Sequence, residues 1–129
     1  MAELSVLDAI AAAECRLNTR EVLEPIARER RRQFEKWGEQ HHQNTSLTGN
    51  WPSYADRARR YKTVNDYRVE HGLPAAWDDI LLEEIYEALE LTSPHVDDPG
   101  KHRLEQELIQ SAAVIVAWVE DIRSRRGTG

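Results

Sequence analysis

Trp77-Asp-Asp-Ile-Leu-Leu-Glu-Glu-Ile-Tyr-Glu-Ala-Leu-Glu-Leu91 is the stretch that decides the fold. No glycine or proline interrupts it, and it is rich in the straight-chain residues that favour helix. At about 100° per residue, Ile80, Leu81, Ile85, Ala88 and Leu91 fall on one apolar arc, which predicts an amphipathic helix. Glu84 lies inside that arc. Glu87 sits at its edge, one turn from Glu83 and Glu84. A carboxylate within a core-facing stripe is costly unless it is paired or bound to a cation.

Towards the C-terminus, Asp98 is a candidate cap for a helix from Pro99 to about residue 125. Its segment Leu108 to Val119 is apolar nearly all round, so this helix is expected at the centre of the core. Glu107, Gln110, Ser111 and Val114 share one of its faces. If the two helices pack antiparallel, that face approaches Glu84 and Glu87. Two carboxylates about 4 Å apart repel by roughly 4 kcal/mol at an effective dielectric near 20. Hard oxygen ligands from two helices suit Mg²⁺, which takes a few carboxylates and keeps room for substrate phosphates.

Towards the N-terminus, a helix from Tyr54 to Glu70 is expected, capped by Ser53 and stopped by His71-Gly-Leu-Pro74. A polar loop covers 38–52, longer than the usual helix connection. Before it comes a helix ending at Trp37, ahead of Gly38; its start is open, and Pro25, which suits a first turn but not a helix interior, is one place where its regular part can begin. A first helix, Val6 to Leu17, carries the single cysteine, Cys15, on an apolar face. The pattern holds no strand alternation and no repeat. It predicts one all-α domain, a helical bundle of about five helices.

The helix before Gly38 has Val22, Leu23, Ile26, Phe34 and Trp37 on an expected inward face, with Arg30 and Gln33 pointing into it. Two readings stand side by side. Arg30 and Lys36 meet phosphates, with Gln33 and Trp37 near a base or sugar, since guanidinium matches phosphate and indole offers a stacking face. Otherwise Arg30 pairs with a buried glutamate and Trp37 fills the core. Arg57, Arg59, Arg60 and Lys62 form a basic run expected to be mostly solvated, from which one or two residues could reach a triphosphate, Arg60 being the candidate.

Composition narrows the classes. The chain has 129 residues, 40% hydrophobic and 31% charged, with a net charge of −6. That balance argues against binding a nucleic-acid polymer, which requires Lys and Arg to neutralise phosphates. No apolar run is long enough for a membrane span, and the start lacks a signal peptide. A cytoplasmic location is expected. A di-iron carboxylate bundle would need paired Glu-x-x-His motifs, and Glu39 to His42, just after Gly38, is not repeated.

Two segments together resemble a known family. Arg28 to Gln40, with Gln33 and Lys36-Trp-Gly-Glu-Gln40, is similar to a signature of phage and actinobacterial MazG-like proteins. Trp77 to Leu89, followed by Glu105 to Trp118, resembles their Glu-Glu-x-x-Glu and Glu-x-x-Asp pair. The resemblance spans roughly 26–122. It implies an all-α, Mg²⁺-dependent nucleoside triphosphate pyrophosphohydrolase, giving a nucleoside monophosphate and pyrophosphate and acting as a homodimer or homotetramer. It further implies Glu84, Glu87 and Glu107 as Mg²⁺ ligands, with Glu83 a further ligand or the group orienting the attacking water. Position 110 is Gln where the family has Asp, so one negative charge is missing from the expected ligand set. Residues 19–126 would form the MazG-like domain, and residues 1–18 would serve oligomer contacts. The alternative from another class is a catalytically weak helical module that binds nucleotides or other proteins.

Overall fold

Glycine and proline mark the helix ends in the structure, a computed structural model that describes residues 17–46 and 51–127. Four α-helices are present among the described residues: α1, Leu17–Trp37; α2, Trp51–Glu70; α3, Trp77–Glu90; and α4, His102–Gly127, entered through a 3₁₀ turn at Pro99–Lys101. The architecture is all-α, with no strand among the described residues. The expected first helix, Cys15 included, lies outside the described residues except for Leu17, which opens α1.

Each helix end has a local cause. Gly38 takes a left-handed φ of 66°, and its N–H donates to the Phe34 carbonyl at 2.7 Å, closing α1. At the end of α2, Gly72 has φ 64°. The Leu73 N–H reaches the Arg68 carbonyl at 2.8 Å and that of Gly72 reaches Val69 at 3.3 Å, the bond pair of a Schellman motif. α2 begins at Trp51 rather than at Tyr54, with Pro52 in its first turn, where its missing N–H costs nothing.

The start of α1, open in the sequence, lies well before Pro25: the proline is inside the continuous helix rather than in its first turn. An internal proline leaves the carbonyl four residues earlier without its N–H donor. Here that carbonyl belongs to Glu21, and the Arg123 guanidinium donates to it at 3.3 Å.

Asp98 caps α4 from a distance along the chain. One carboxylate oxygen accepts the Arg103 N–H at 2.9 Å and the other that of Leu104 at 3.0 Å. Burial pushes its carboxyl up, but these two backbone donors, with Lys101 and Arg103 nearby, outweigh it and hold the pKa below the ordinary value.

The chain divides into two units, Met1–Gln40 with Val119–Gly129, and His41–Trp118. Within the second, α2 and α3 form an antiparallel hairpin. Arg68 pairs with Asp79 at 2.5 Å near the turn, and Tyr61 stacks on Tyr86 further along, with centroids 5.8 Å apart. The α4 segment of this unit runs antiparallel to α3. Trp77 stacks on Trp118 at 6.3 Å, and Ala88, Leu91 and Leu104 form the buried cluster with Val96 against it.

Within the first unit, Thr19 hydrogen-bonds the Glu120 carboxylate, tying the start of α1 to the last turns of α4.

Two packing expectations are corrected. α4 is not a fully buried central helix: only Leu104, Ser111 and Val116 are buried along it, while Leu108 and Ile109 stay 50% and 62% exposed. α3 covers one face of it, and an all-round apolar helix needs neighbours on several. On α1 the supposed inward face is equally open. Val22 is buried, but Leu23, Ile26, Phe34 and Trp37 are exposed. No helix among the described residues is long and apolar enough to cross a membrane.

Candidate carboxylate site

The αα-hairpin sets the polar centre of the second unit. Glu83, Glu84 and Glu87 project from consecutive turns of α3, each half-buried, and each offers an oxygen within 4.8 Å of the others. Glu107 approaches from α4. The register that stacks Trp77 on Trp118 and gathers Leu91 with Leu104 also places Glu107 where its charge acts on both Glu84 and Glu87. Ser111, small and buried, turns its hydroxyl onto the Glu107 carbonyl at 3.0 Å.

The electrostatics are those of acids crowded out of water. Burial first, then the charges of Glu107 and Glu83, push the Glu84 carboxyl up. Burial, with Glu83 and Glu84 next, raises Glu87 further, to about 7, helped by a hydrogen bond from its protonated form to Glu83. Burial also raises Glu90, one turn on, against the opposing charges of Arg59 and Arg103.

Two buried oxygens in this group lack a hydrogen-bond partner, Oε2 of Glu84 and Oε2 of Glu107. Leaving such an acceptor unsatisfied costs on the order of 1–3 kcal/mol, more when charged. The set gathered here is all carboxylate oxygen, with two of those oxygens left without a partner. It has the chemistry that a hard divalent cation would satisfy.

Glu83 has a further partner on the neighbouring helix. The Asn65 side chain, on α2, donates from Nδ2 to Glu83 Oε1 at 2.9 Å and to the Asp79 carbonyl at 3.1 Å. Sequence reasoning missed Asn65. Its one signal was local: asparagine is a weak helix former, out of place in the middle of a helix unless its side chain has work elsewhere.

Of the remaining sequence-predicted residues, two lie in the second unit and four in the first. Gln110 is exposed on α4, and Arg60 is exposed on α2. Arg30, Gln33, Lys36 and Trp37 all lie on α1, in the first unit. Among the described residues Arg30 pairs with no glutamate; its guanidinium donates to the Gln33 side-chain oxygen at 2.6 Å, at the surface. Trp37 does not fill a core either, being 56% exposed, with the Lys36 ammonium over its ring at 4.8 Å. Lys62, from the basic run, pairs with Asp66 at 3.2 Å. That partner first, then the charges of Glu83 and Glu87, raises its pKa.

No family model, no curated protein and no solved structure matches this chain.

Proposed function

We propose that the chain is a Mg²⁺-dependent nucleoside triphosphate pyrophosphohydrolase of the MazG-like all-α type, converting an NTP or dNTP to the nucleoside monophosphate and pyrophosphate. The observation that carries this reading is the carboxylate cluster. Three glutamates of α3 offer oxygens within 4.8 Å of one another, and Glu84 and Glu107 each keep a buried oxygen without a partner. Its motif order along the chain is the one the resemblance implies.

In this reading Glu84, Glu87 and Glu107 hold Mg²⁺, and Gln110 offers a neutral carbonyl oxygen where the family has an acid. Bound there, the cation would polarise phosphoryl oxygens and lower the pKa of water. Glu83 acts as a further ligand or orients the attacking water, with its carboxylate steadied by Asn65. Arg30, Gln33, Lys36, Trp37 and Arg60 are assigned to the nucleotide by their chemistry. Arg30, Lys36, Trp37 and Arg60 are exposed, and Gln33 is partly so.

The same reading makes the protein a homodimer or homotetramer. What supports an assembly is apolar surface left in water: Phe34 is 59% exposed, Ile109 62% and Leu108 50%. The second reading, a catalytically weak interaction module, draws on that same surface and on the neutral Gln110.

The deciding experiment is a panel of NTPs and dNTPs incubated with the protein and Mg²⁺, reading released pyrophosphate. Release that requires Mg²⁺ and vanishes in Glu84→Gln supports the hydrolase. Absence of release from every nucleotide favours the module.

A further inference from the structure

We propose that Asn65 is a positioning residue that holds the Glu83 carboxylate in place from the neighbouring helix; this rests on the hydrolase reading of the cluster.

The geometry of the amide is determinate. Both Nδ2 hydrogens are committed, one to Glu83 Oε1 at 2.9 Å and one to the Asp79 carbonyl at 3.1 Å. Turning the amide over would set its oxygen against a carboxylate and a carbonyl, so only one orientation is tenable. That orientation leaves Oδ1 buried without a partner. Joining α2 to α3 does not call for this arrangement, because the hairpin is already clamped one turn away by Arg68 and Asp79 and by the stacked Tyr61 and Tyr86. An apolar residue at position 65 would serve packing without an orphaned acceptor. Asn65 instead does something those contacts cannot. It fixes one oxygen of a flexible glutamate and so limits where the other can point. A reactive cluster gains from that restriction, since misplacement of a catalytic group by about 1 Å can cost on the order of a hundredfold in rate.

The distinction from a purely structural role is experimental. Full-length wild type, Asn65→Ala and Arg68→Ala are compared for Mn²⁺ affinity by electron paramagnetic resonance, for pyrophosphate release from the nucleotide panel, and for urea midpoint. Arg68→Ala weakens the same helix pair without touching Glu83, so it reports what loss of hairpin stability alone does. The expectation is that Asn65→Ala weakens Mn²⁺ binding or lowers kcat by about tenfold or more, with KM for the nucleotide within about threefold. Arg68→Ala should leave both within about threefold of wild type at a comparable loss of urea midpoint. Unchanged Mn²⁺ affinity and kcat in Asn65→Ala would overturn the proposal, as would equal losses in Arg68→Ala. If wild type releases no pyrophosphate, the hydrolase reading fails, and Mn²⁺ affinity alone then decides for or against Asn65. Wild type that neither binds Mn²⁺ nor releases pyrophosphate overturns both.

Discussion

The indole of Trp118 lies nearly parallel to that of Trp77, with 6.3 Å between centroids and 9° between planes. This contact joins the first residue of α3 to α4 and pins their antiparallel register. In that register Glu107 faces the turns of α3 that bear Glu84 and Glu87, so a stack of two aromatic rings sets how the carboxylates meet.

Replacing Trp118 by alanine should therefore do two things. Truncating a fully buried indole costs about 3–5 kcal/mol; both rings here keep some exposure, so a loss of about 2–3 kcal/mol is expected in urea unfolding. With the register loosened, the folded fraction should also bind Mn²⁺ more weakly. Stability and affinity equal to wild type would show that the stack does not set the register.

The raised acids predict how stability follows pH without a divalent cation. Glu87 titrates at about 7 in the folded chain, above the ordinary 4.5, and Glu84 and Glu90 are raised as well. An acid whose folded pKa is raised contributes stability below its unfolded value, and this is lost as pH climbs through the folded value. The protein should thus weaken between about pH 4.5 and somewhat above pH 7, by on the order of 1–3 kcal/mol after solvent screening. Urea midpoints at about pH 5.5 and pH 8 measure it. Glu87→Gln should flatten the trend, and millimolar Mg²⁺ at the higher pH should restore stability through binding to the folded state.

Glu84→Gln separates mechanism from fold. It deletes a half-buried charge crowded by Glu107 and Glu83, so folding at neutral pH should be unharmed or improved. Pyrophosphate release should fall about a hundredfold or more, roughly 3 kcal/mol of transition-state stabilisation. Gln110→Asp adds the missing acid and should tighten Mg²⁺ binding while keeping or raising turnover. Hydrolysis that survives Glu84→Gln with an unchanged Mg²⁺ requirement would remove Glu84 from the site.

Assembly is testable through α1, where Leu23, Ile26 and Phe34 are 45%, 42% and 59% exposed. Sedimentation at tens of micromolar should give a dimer or tetramer, and an obligate interface should bury roughly 2,000 Å² or more. Leu23→Glu with Phe34→Glu should shift the chain towards monomer with helicity retained. A strictly monomeric wild type would leave the exposed stripe without this explanation.

Local chemistry made part of this protein legible from its sequence. Gly38 and Gly72 end helices because a left-handed residue is needed there, and the 3.6-residue period places Glu84 among Ile80, Ile85 and Ala88 before any partner is known. Asp98 was readable as a cap, though not for a helix opening at Pro99: it accepts the N–H groups of Arg103 and Leu104, in an α-helix that begins at His102. Interactions between distant segments were not readable. Pro25 was one place where α1 could begin until Arg123, far along the chain, supplied a donor for the carbonyl it leaves free. The apolar rings of α1 and α4 looked like core, yet whether an apolar face is buried depends on how many neighbours reach it, and Phe34 and Ile109 have too few. Likewise nothing in the order of residues joins Asn65 to Glu83, because that bond depends on the angle and register at which α2 packs on α3. Those are set by the Arg68–Asp79 pair and the stacked tyrosines, which form only when the hairpin closes.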